Sequence, residues 1–403
     1  MKKDISNSEN TMNPVLACSE IGVIHAMGKA GINVHCGSYF EDNPALYSKF
    51  TKERVMFSTY EDEQYIEELI EYGKKQPQKP VYLSDDDRAI LLFSEHRERL
   101  EPYFHFLFPS KEMVRSLLDK RKFCDLSREK DLPAPISFYC TDKEDFEKIK
   151  GEVPFPCILK PAFKQDWWRE EFISRYQSYK KAIKCNTYEE MVELYEFLST
   201  FQPRVIIQEY VPGEDANLYS LNMYVNEDSE LKGIYLAQKR RIYPIGAGTG
   251  CYVVTVKDKE IVNTTIDIVR KLKLRGLVNV QFKKNADTGE INIMEIHLRN
   301  SFWNYLGVAA GLNLGAMYYM DLTGKETRYK FPETPDTYED GVKLFDFGKD
   351  LKSFFQYRKK GLLTFREWVR EYKGNYVIQG HLKEDMLPVL KNLQFMTMRR
   401  LKG

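Results

Sequence analysis

The stretch Leu277–Arg299, LVNVQFKKNADTGEINIMEIHLR, contains two runs of alternating apolar and polar residues, Leu277–Phe282 and Ile291–Ile296. Between them lie Asn285-Ala286-Asp287-Thr288-Gly289, a turn-forming segment, and the whole has the sequence form of a β-hairpin. Successive side chains of a strand point to opposite faces, so Asn279, Gln281, Glu295, His297 and Arg299 belong to one polar face. Glu295, His297 and Arg299 follow one another at every second position. A carboxylate, an imidazole and a guanidinium in that order suit a divalent cation carrying a phosphate chain, because oxygen ligands hold Mg²⁺ and arginine clamps phosphate oxygens. A hairpin whose polar face is merely wet fits the same pattern, so the choice between the two rests on residues elsewhere.

The 403-residue chain is 43% hydrophobic and 30% charged, the composition of a globular protein of two to three domains. No apolar run has the length of a membrane span, and the polar residues 1–12 read as a disordered start without the apolar core of a secretion signal. A cytoplasmic location is expected. Seven cysteines stand singly, with no CxxC pair, which indicates neither a zinc site nor a disulfide framework. The overall charge of +1 argues against nucleic-acid binding. It conceals a basic tail, however: residues 341–403 hold 14 lysines and arginines against 6 acids, with Phe354, Phe355, Trp368 and Tyr372 interleaved. Weak peripheral contact with an anionic membrane is one reading of that tail. A solvated helical face docked on an acidic body is the commoner arrangement.

Further forward, Val15–Ala17, a helix over roughly 20–30 and Ile32–Cys36 give a β-α-β unit, and more β and α signals follow to about residue 109. The pattern predicts a doubly wound parallel α/β domain over 13–109. The loop after Val15–Ala17 lacks the glycine spacing of a dinucleotide fingerprint, so NAD is not expected. Ligands of such sheets bind at the carboxyl ends of the strands, here Ser19, Ser38 and Asp85–Asp87, although helix capping explains the three acids equally well. A helical stretch follows over 110–129, with Ser110 as its cap and the basic cluster Lys120-Arg121-Lys122 inside it. In PFPCILK, residues 154–160, a short apolar strand finishes in Lys160, whose charge needs an anion if it stays within the protein. The loop 162–178 is aromatic and free of glycine, and Asn186 is expected to cap the next helix. Residues 204–211, RVIIQEYV, form a strand that ends at the turn Pro212-Gly213-Glu214-Asp215. Lys239-Arg240-Arg241 beside Gly246-Ala247-Gly248-Thr249-Gly250 suits either a phosphate or carboxylate site or a flexible hairpin tip.

The order and spacing of DKRKF at 119–123, PFPCILKPA at 154–162, VIIQEYVPGED at 205–215 and NVQF…EIHLR at 279–299 resemble the ATP-grasp superfamily of ligases. The similarity is to carboxylate–amine ligases of the D-aspartate ligase kind and to the synthetase domains of carbamoyl phosphate synthase. That resemblance implies an ATP-grasp domain over 110–330, with a small lobe at about 135–211 and a large lobe at about 212–330, followed by a basic helical extension over 331–403. It implies that Lys120 and Lys160 hold ATP phosphates, that the Glu209 carbonyl and Val211 amide hold the adenine edge, and that Asp215 or Glu214 holds the ribose. Gln281, Glu295 and His297 would face Mg²⁺, or Mn²⁺ given the imidazole, and Arg299 and Arg241 would serve the reacting groups. The implied reaction joins a small-molecule carboxylate to an amine through an acyl phosphate, with a homodimer as in many relatives. A non-catalytic ATP-binding sensor or scaffold, and a carboxylase-like enzyme phosphorylating bicarbonate or another acid, are the alternatives. The chain departs from the family at the glycine-free loop, at Gln281 and at His297, where relatives commonly carry glycines, a carboxylate and an asparagine.

Overall fold

In the computed structural model the described residues are 12–18, 20–58, 62–162, 164–167, 169–176, 182–246, 248–380 and 383–402. The expectations placed on residues 1–11, on Ser19, on Trp168, on Ala247 and on residues 177–181 of the glycine-free loop fall outside them.

Three sheets carry the chain. The first is wholly parallel and is built from β1 (Val15–Cys18), β2 (Val34–Ser38), β3 (Thr51–Met56) and β4 (Val81–Ser84), in the order β3-β2-β1-β4. Strands β1, β2 and β4 are almost wholly buried, whereas β3, TKERVM, is charged and exposed at one edge. The second sheet is antiparallel, formed by β5 (Ser137–Cys140), β6 (Cys157–Pro161), β7 (Ile183–Cys185) and β8 (Val205–Glu209) in the order β5-β8-β6-β7. The third has seven strands: β9 (Leu218–Val225), β10 (Leu231–Tyr243), β11 (Thr249–Val256), β12 (Gly276–Lys284), β13 (Ile291–His297), β14 (Lys343–Phe345) and β15 (Tyr376–Ile378). Their order is β13-β12-β9-β10-β11-β14-β15, antiparallel except for the β14–β15 pair. The molecule is thus mixed α/β, with one parallel sheet and one large mixed sheet.

The largest hydrophobic core joins the first and third sheets into one body: Leu16, Tyr82 and Phe93 pack in the same cluster as Leu221, Val280 and Ile296. Gly276 shows how closely they meet. It enters β12 at φ +84°, and a Cβ there would lie 2.2 Å from the Leu107 carbonyl oxygen, so only glycine fits. The second sheet has its own core, in which Phe146 stacks on Tyr195 and Trp167 on Phe172.

Local chemistry changed three expectations. The helical stretch 110–129 is two helices, Lys111–Leu118 and Lys120–Glu129, because Asp119 leaves helical geometry and accepts the Arg121 and Lys122 amides as a cap. Thr187, rather than Asn186, caps the helix Tyr188–Ser199, while the Asn186 amide donates to Glu190 Oε2 at 2.7 Å. The segment after residue 331 is not solely helical: β14 and β15 extend the large sheet, and helices Phe347–Lys359, Phe365–Glu371 and Leu387–Lys402 surround them.

Candidate active site

The register of the β12–β13 hairpin sets Asn279 opposite His297 and Gln281 opposite Glu295, so the predicted polar face exists. It is not simply wet. His297 Nε2 lies 3.2 Å from Glu295 Oε2, and its Nδ1 lies 3.4 Å from Asp87 Oδ2. Arg299 Nε donates to Asp87 Oδ1 at 2.7 Å and its Nη2 to Asp87 Oδ2 at 3.3 Å. Glu295, His297, Asp87 and Arg299 therefore form one chain of alternating charge.

Asp87 comes from the front of the molecule, in the first turn after β4. The three acids there divide the work: Asp85 Oδ2 accepts the Glu20 amide at 2.9 Å, and Asp86 caps the helix Asp87–Glu95 by accepting the Arg88 amide at 2.9 Å. With the cap filled by its neighbour, Asp87 is available to reach across. Burial works against charge on Asp87, yet the His297 and Arg299 hydrogen bonds and charges prevail and hold it at about 2. The same balance holds Glu295 at about 2, where burial is overcome by His297, Lys160 and Lys239. Burial also disfavours a charged His297, but its two carboxylate neighbours raise it to about 9. At neutral pH the imidazole thus carries a charge, and both ring nitrogens face carboxylates.

Lys160 is the next-to-last residue of β6, opposite Ile206 of β8, and its Nζ donates to the neutral Gln208 Oε1 at 2.7 Å. Burial lowers its pKa, with the Glu295 charge opposing and Lys120 adding to the fall. The ammonium is incompletely compensated, as a site awaiting an anion should be. Lys120 stands nearby, its Nζ 3.5 Å from the Pro161 carbonyl oxygen. Gln281 donates to Ser220 Oγ at 3.0 Å and to Asn279 Oδ1, while its own Oε1 is buried without a partner among the described residues. An acceptor oxygen left idle opposite a carboxylate fits a hard cation, so Gln281 and Glu295 suit Mg²⁺. Among the described residues no group of three His, Cys, Asp or Glu side chains could hold a metal by itself. An ion here would take its other ligands from phosphate oxygens and water.

The segment after β8 is anchored on both sides: the Glu209 amide donates to the Ile136 carbonyl at 2.8 Å, and the Glu209 carboxylate accepts the Ile136 amide at 3.1 Å. Val211 is buried. Tyr210 lies under two cations, Lys184 Nζ at 4.1 Å and Lys283 Nζ at 5.1 Å from the ring centroid. Asp215 Oδ2 accepts from the Tyr357 hydroxyl and, at 3.3 Å, from the Gly246 amide, so the glycine-rich loop folds onto the turn expected to meet a ribose.

Arg241 is not brought to this face. Bulges in β10 on either side of Arg241 break the alternation that would have placed it beside Lys239. Its guanidinium is 3% exposed, with Nε donating to Asp350 Oδ1 at 2.9 Å and Nη1 to Glu371. A buried ion cluster with the C-terminal segment occupies it. The charge of Lys239 reaches Glu295 instead.

Arg299 and Asn300 also line two small adjoining clefts of about 10 Å³ each, partly open to solvent. One runs to Asn304 and Asn313, the other to Ser84 at the end of β4. Asn300 Nδ2 and Asn304 Oδ1 are buried there without partners among the described residues, a donor and an acceptor that a polar ligand would satisfy. Sequence reading missed Asn300 and Asn304, and named Asp87 and Lys239 only within their runs, each beside an ordinary structural alternative. The triple acid at 85–87 and the basic run at 239–241 carried the signal for the latter pair.

A mixed α/β chain with one parallel sheet and one large mixed sheet is consistent with the ATP-grasp fold. No protein-family model matches this chain. It is similar to D-aspartate ligase of Enterococcus faecium (strain Aus0004), 26% identical over 382 residues, which cover 89% of this chain and 87% of that protein. It is also similar to the carbamoyl phosphate synthase large chain of Clostridium acetobutylicum, 24% identical over 202 residues, spanning 48% of this chain and 18% of that protein. Among solved structures, biotin carboxylase from Campylobacter jejuni in complex with β-γ-ATP matches with a TM-score of 0.60 at 12% identity, covering 84% of this chain and 75% of that one.

Proposed function

We propose that the chain is an ATP-dependent ligase that activates a substrate carboxylate as an acyl phosphate and joins it to an amine, releasing ADP and phosphate. The observation that carries this reading is the convergence of an undercompensated Lys160, the Glu295 carboxylate and Arg299 on one face. Likeness to D-aspartate ligase along nearly the whole chain supports it and makes an amino acid the first candidate for the amine.

The second and third sheets act as the two lobes that close over the nucleotide. Lys120 and Lys160 neutralise the phosphate chain, the Glu209 carbonyl and Val211 amide receive the adenine edge, and Asp215 receives the ribose. Gln281 and Glu295 would hold Mg²⁺, which when bound would screen the phosphate oxygens from an incoming anion. A substrate carboxylate oxygen attacks the γ-phosphorus in line, and ADP leaves. The amine then attacks the acyl carbon, losing a proton, and phosphate departs with the C–O bonding pair. Charge neutralisation and alignment are the main demands of both steps, and Arg299 meets them at the junction of the two clefts. ATP and Mg²⁺ are abundant in the cytoplasm, where such an enzyme would work. Among the described residues no helix is long and apolar enough to cross a membrane.

Phosphate release from MgATP, measured with pools of carboxylates and amino acids, tests the proposal. Release that depends on both pools supports ligation. Release with a carboxylate pool alone favours a carboxylase-like or kinase-like reaction. If ATP raises the melting temperature yet no pool releases phosphate, the chain binds nucleotide without turning it over.

A further inference from the structure

The helix Phe347–Lys359 belongs to the C-terminal extension, yet it reaches the turn proposed to receive the ribose. Asp350, Ser353, Phe354 and Tyr357 recur at the three- and four-residue spacing of one helical face. The first three are buried and fix that face to the large sheet. Asp350 accepts from Arg241 Nε of β10 at 2.9 Å, from Trp368 Nε1 at 2.7 Å and from the Tyr372 hydroxyl at 2.7 Å. The Ser353 hydroxyl donates to the Ile242 carbonyl at 3.1 Å, and Phe354 stacks on Trp368.

One turn further on, Tyr357 continues the stripe, and its hydroxyl donates to Asp215 Oδ2. The neighbouring Gln356 Oε1 accepts the Ile245 amide at 3.0 Å and so holds the loop after β10. From that loop the Gly246 amide donates to the same Asp215 oxygen at 3.3 Å. Both donors fall on Oδ2, and among the described residues Oδ1 accepts no hydrogen bond. A carboxylate oxygen has room for two donors, so Asp215 is held by one oxygen and keeps the other for a hydroxyl that comes from outside the protein.

We infer that Tyr357 is a positioning residue for the nucleotide sugar: it fixes Asp215 through Oδ2 so that Oδ1 accepts a ribose hydroxyl. The C-terminal extension is then part of the nucleotide site, and the chain distinguishes ATP from its deoxy analogues. The inference rests on the ribose lying at Asp215, as in the proposed function.

The test is isothermal titration calorimetry of the full chain with Mg²⁺ and ATP, 2′-deoxy-ATP or 3′-deoxy-ATP, for the natural chain, Tyr357→Phe and Asp215→Ala. A hydrogen bond to a charged acceptor contributes about tenfold in affinity, so the natural chain is expected to prefer ATP by about that factor over at least one analogue. Asp215→Ala should erase the preference. Tyr357→Phe should cut it to about threefold by weakening ATP alone, a pattern that a general loosening of the fold does not produce. Full preference in Tyr357→Phe together with its loss in Asp215→Ala overturns the inference and leaves the ribose at Asp215. Equal weakening of ATP and both analogues in Tyr357→Phe overturns it too, and makes the hydroxyl a structural tie. A preference that survives Asp215→Ala, or none in the natural chain, removes the ribose from Asp215 and overturns the inference with it. Failure of the natural chain to bind any of the three overturns the nucleotide reading as a whole.

Discussion

Asp87 Oδ1 accepts a hydrogen bond from Arg299 Nε at 2.7 Å, tying the first turn after β4 to the residue two positions beyond β13. The front of the molecule thereby orients the arginine proposed to serve the reacting groups, and through Oδ2 it also meets His297. Asp87→Ala releases both. Its expected effect is a loss of kcat of about ten- to a hundredfold with little change in melting temperature, because misplacing a positioning group by an ångström costs that much. Steady-state phosphate release checks it, and Asp87→Glu should recover part of the rate. Equal rates for Asp87→Ala and the natural chain would separate Asp87 from the site.

Glu295→Gln removes the carboxylate proposed to hold Mg²⁺ opposite Gln281. Turnover should fall by about a thousandfold or more, since several kcal/mol of charge stabilisation in the transition state disappear with it. The readout is the rate across a Mg²⁺ titration. A variant restored to full rate at high Mg²⁺ would place Glu295 in ion binding alone, and an unaffected variant would remove it from the site.

Lys160→Met deletes a buried cation whose hydrogen-bond acceptor among the described residues is the neutral Gln208. Without ATP the stability should change by no more than about 2 kcal/mol, because relief from burying a charge offsets the Gln208 oxygen left unpaired. The stabilisation by ATP should vanish. Thermal melting with and without nucleotide measures both quantities.

Arg241→Ala separates a structural from a catalytic role. Asp350 is wholly buried against this guanidinium, so the variant should lose about 3–5 kcal/mol in urea unfolding. Any folded fraction should keep its affinity for ATP. Unchanged stability with abolished turnover would return Arg241 to the reacting groups.

Burial holds His25 below the ordinary histidine range, against the opposing pull of Asp385. The unfolded chain then binds the His25 proton more readily than the folded one once the pH drops below about 6.5, so stability falls as the solution is acidified through that range. Melting temperature between pH 7.5 and 5 should fall less steeply in His25→Gln than in the natural chain. Parallel slopes would show that His25 does not contribute to the acid response.

The hairpin was legible because a period of two places polar residues on one face without reference to anything distant, and Lys160 because a cation closing an apolar strand is conspicuous by itself. Arg241 was expected at the reacting groups because it belongs to a basic run beside a glycine-rich loop, and the bulges that turn it toward Asp350 have no signature in the sequence. Asp87 was ambiguous since capping predicts an acid at each of three consecutive positions, and only the fold shows Asp86 taking the cap. Asn300 and Asn304 acquire meaning from burial without partners, a property of packing that local sequence does not encode.

The most direct measurement is isotope exchange within ATP. With ¹⁸O in the β–γ bridge, reversible transfer of the γ-phosphoryl group to a carboxylate scrambles the label into the β-nonbridging positions. Scrambling that requires a carboxylate substrate, proceeds without the amine and disappears in Glu295→Gln is the predicted result. Amide formation with no scrambling under any carboxylate, or scrambling unchanged in Glu295→Gln, would contradict an acyl phosphate made at this face.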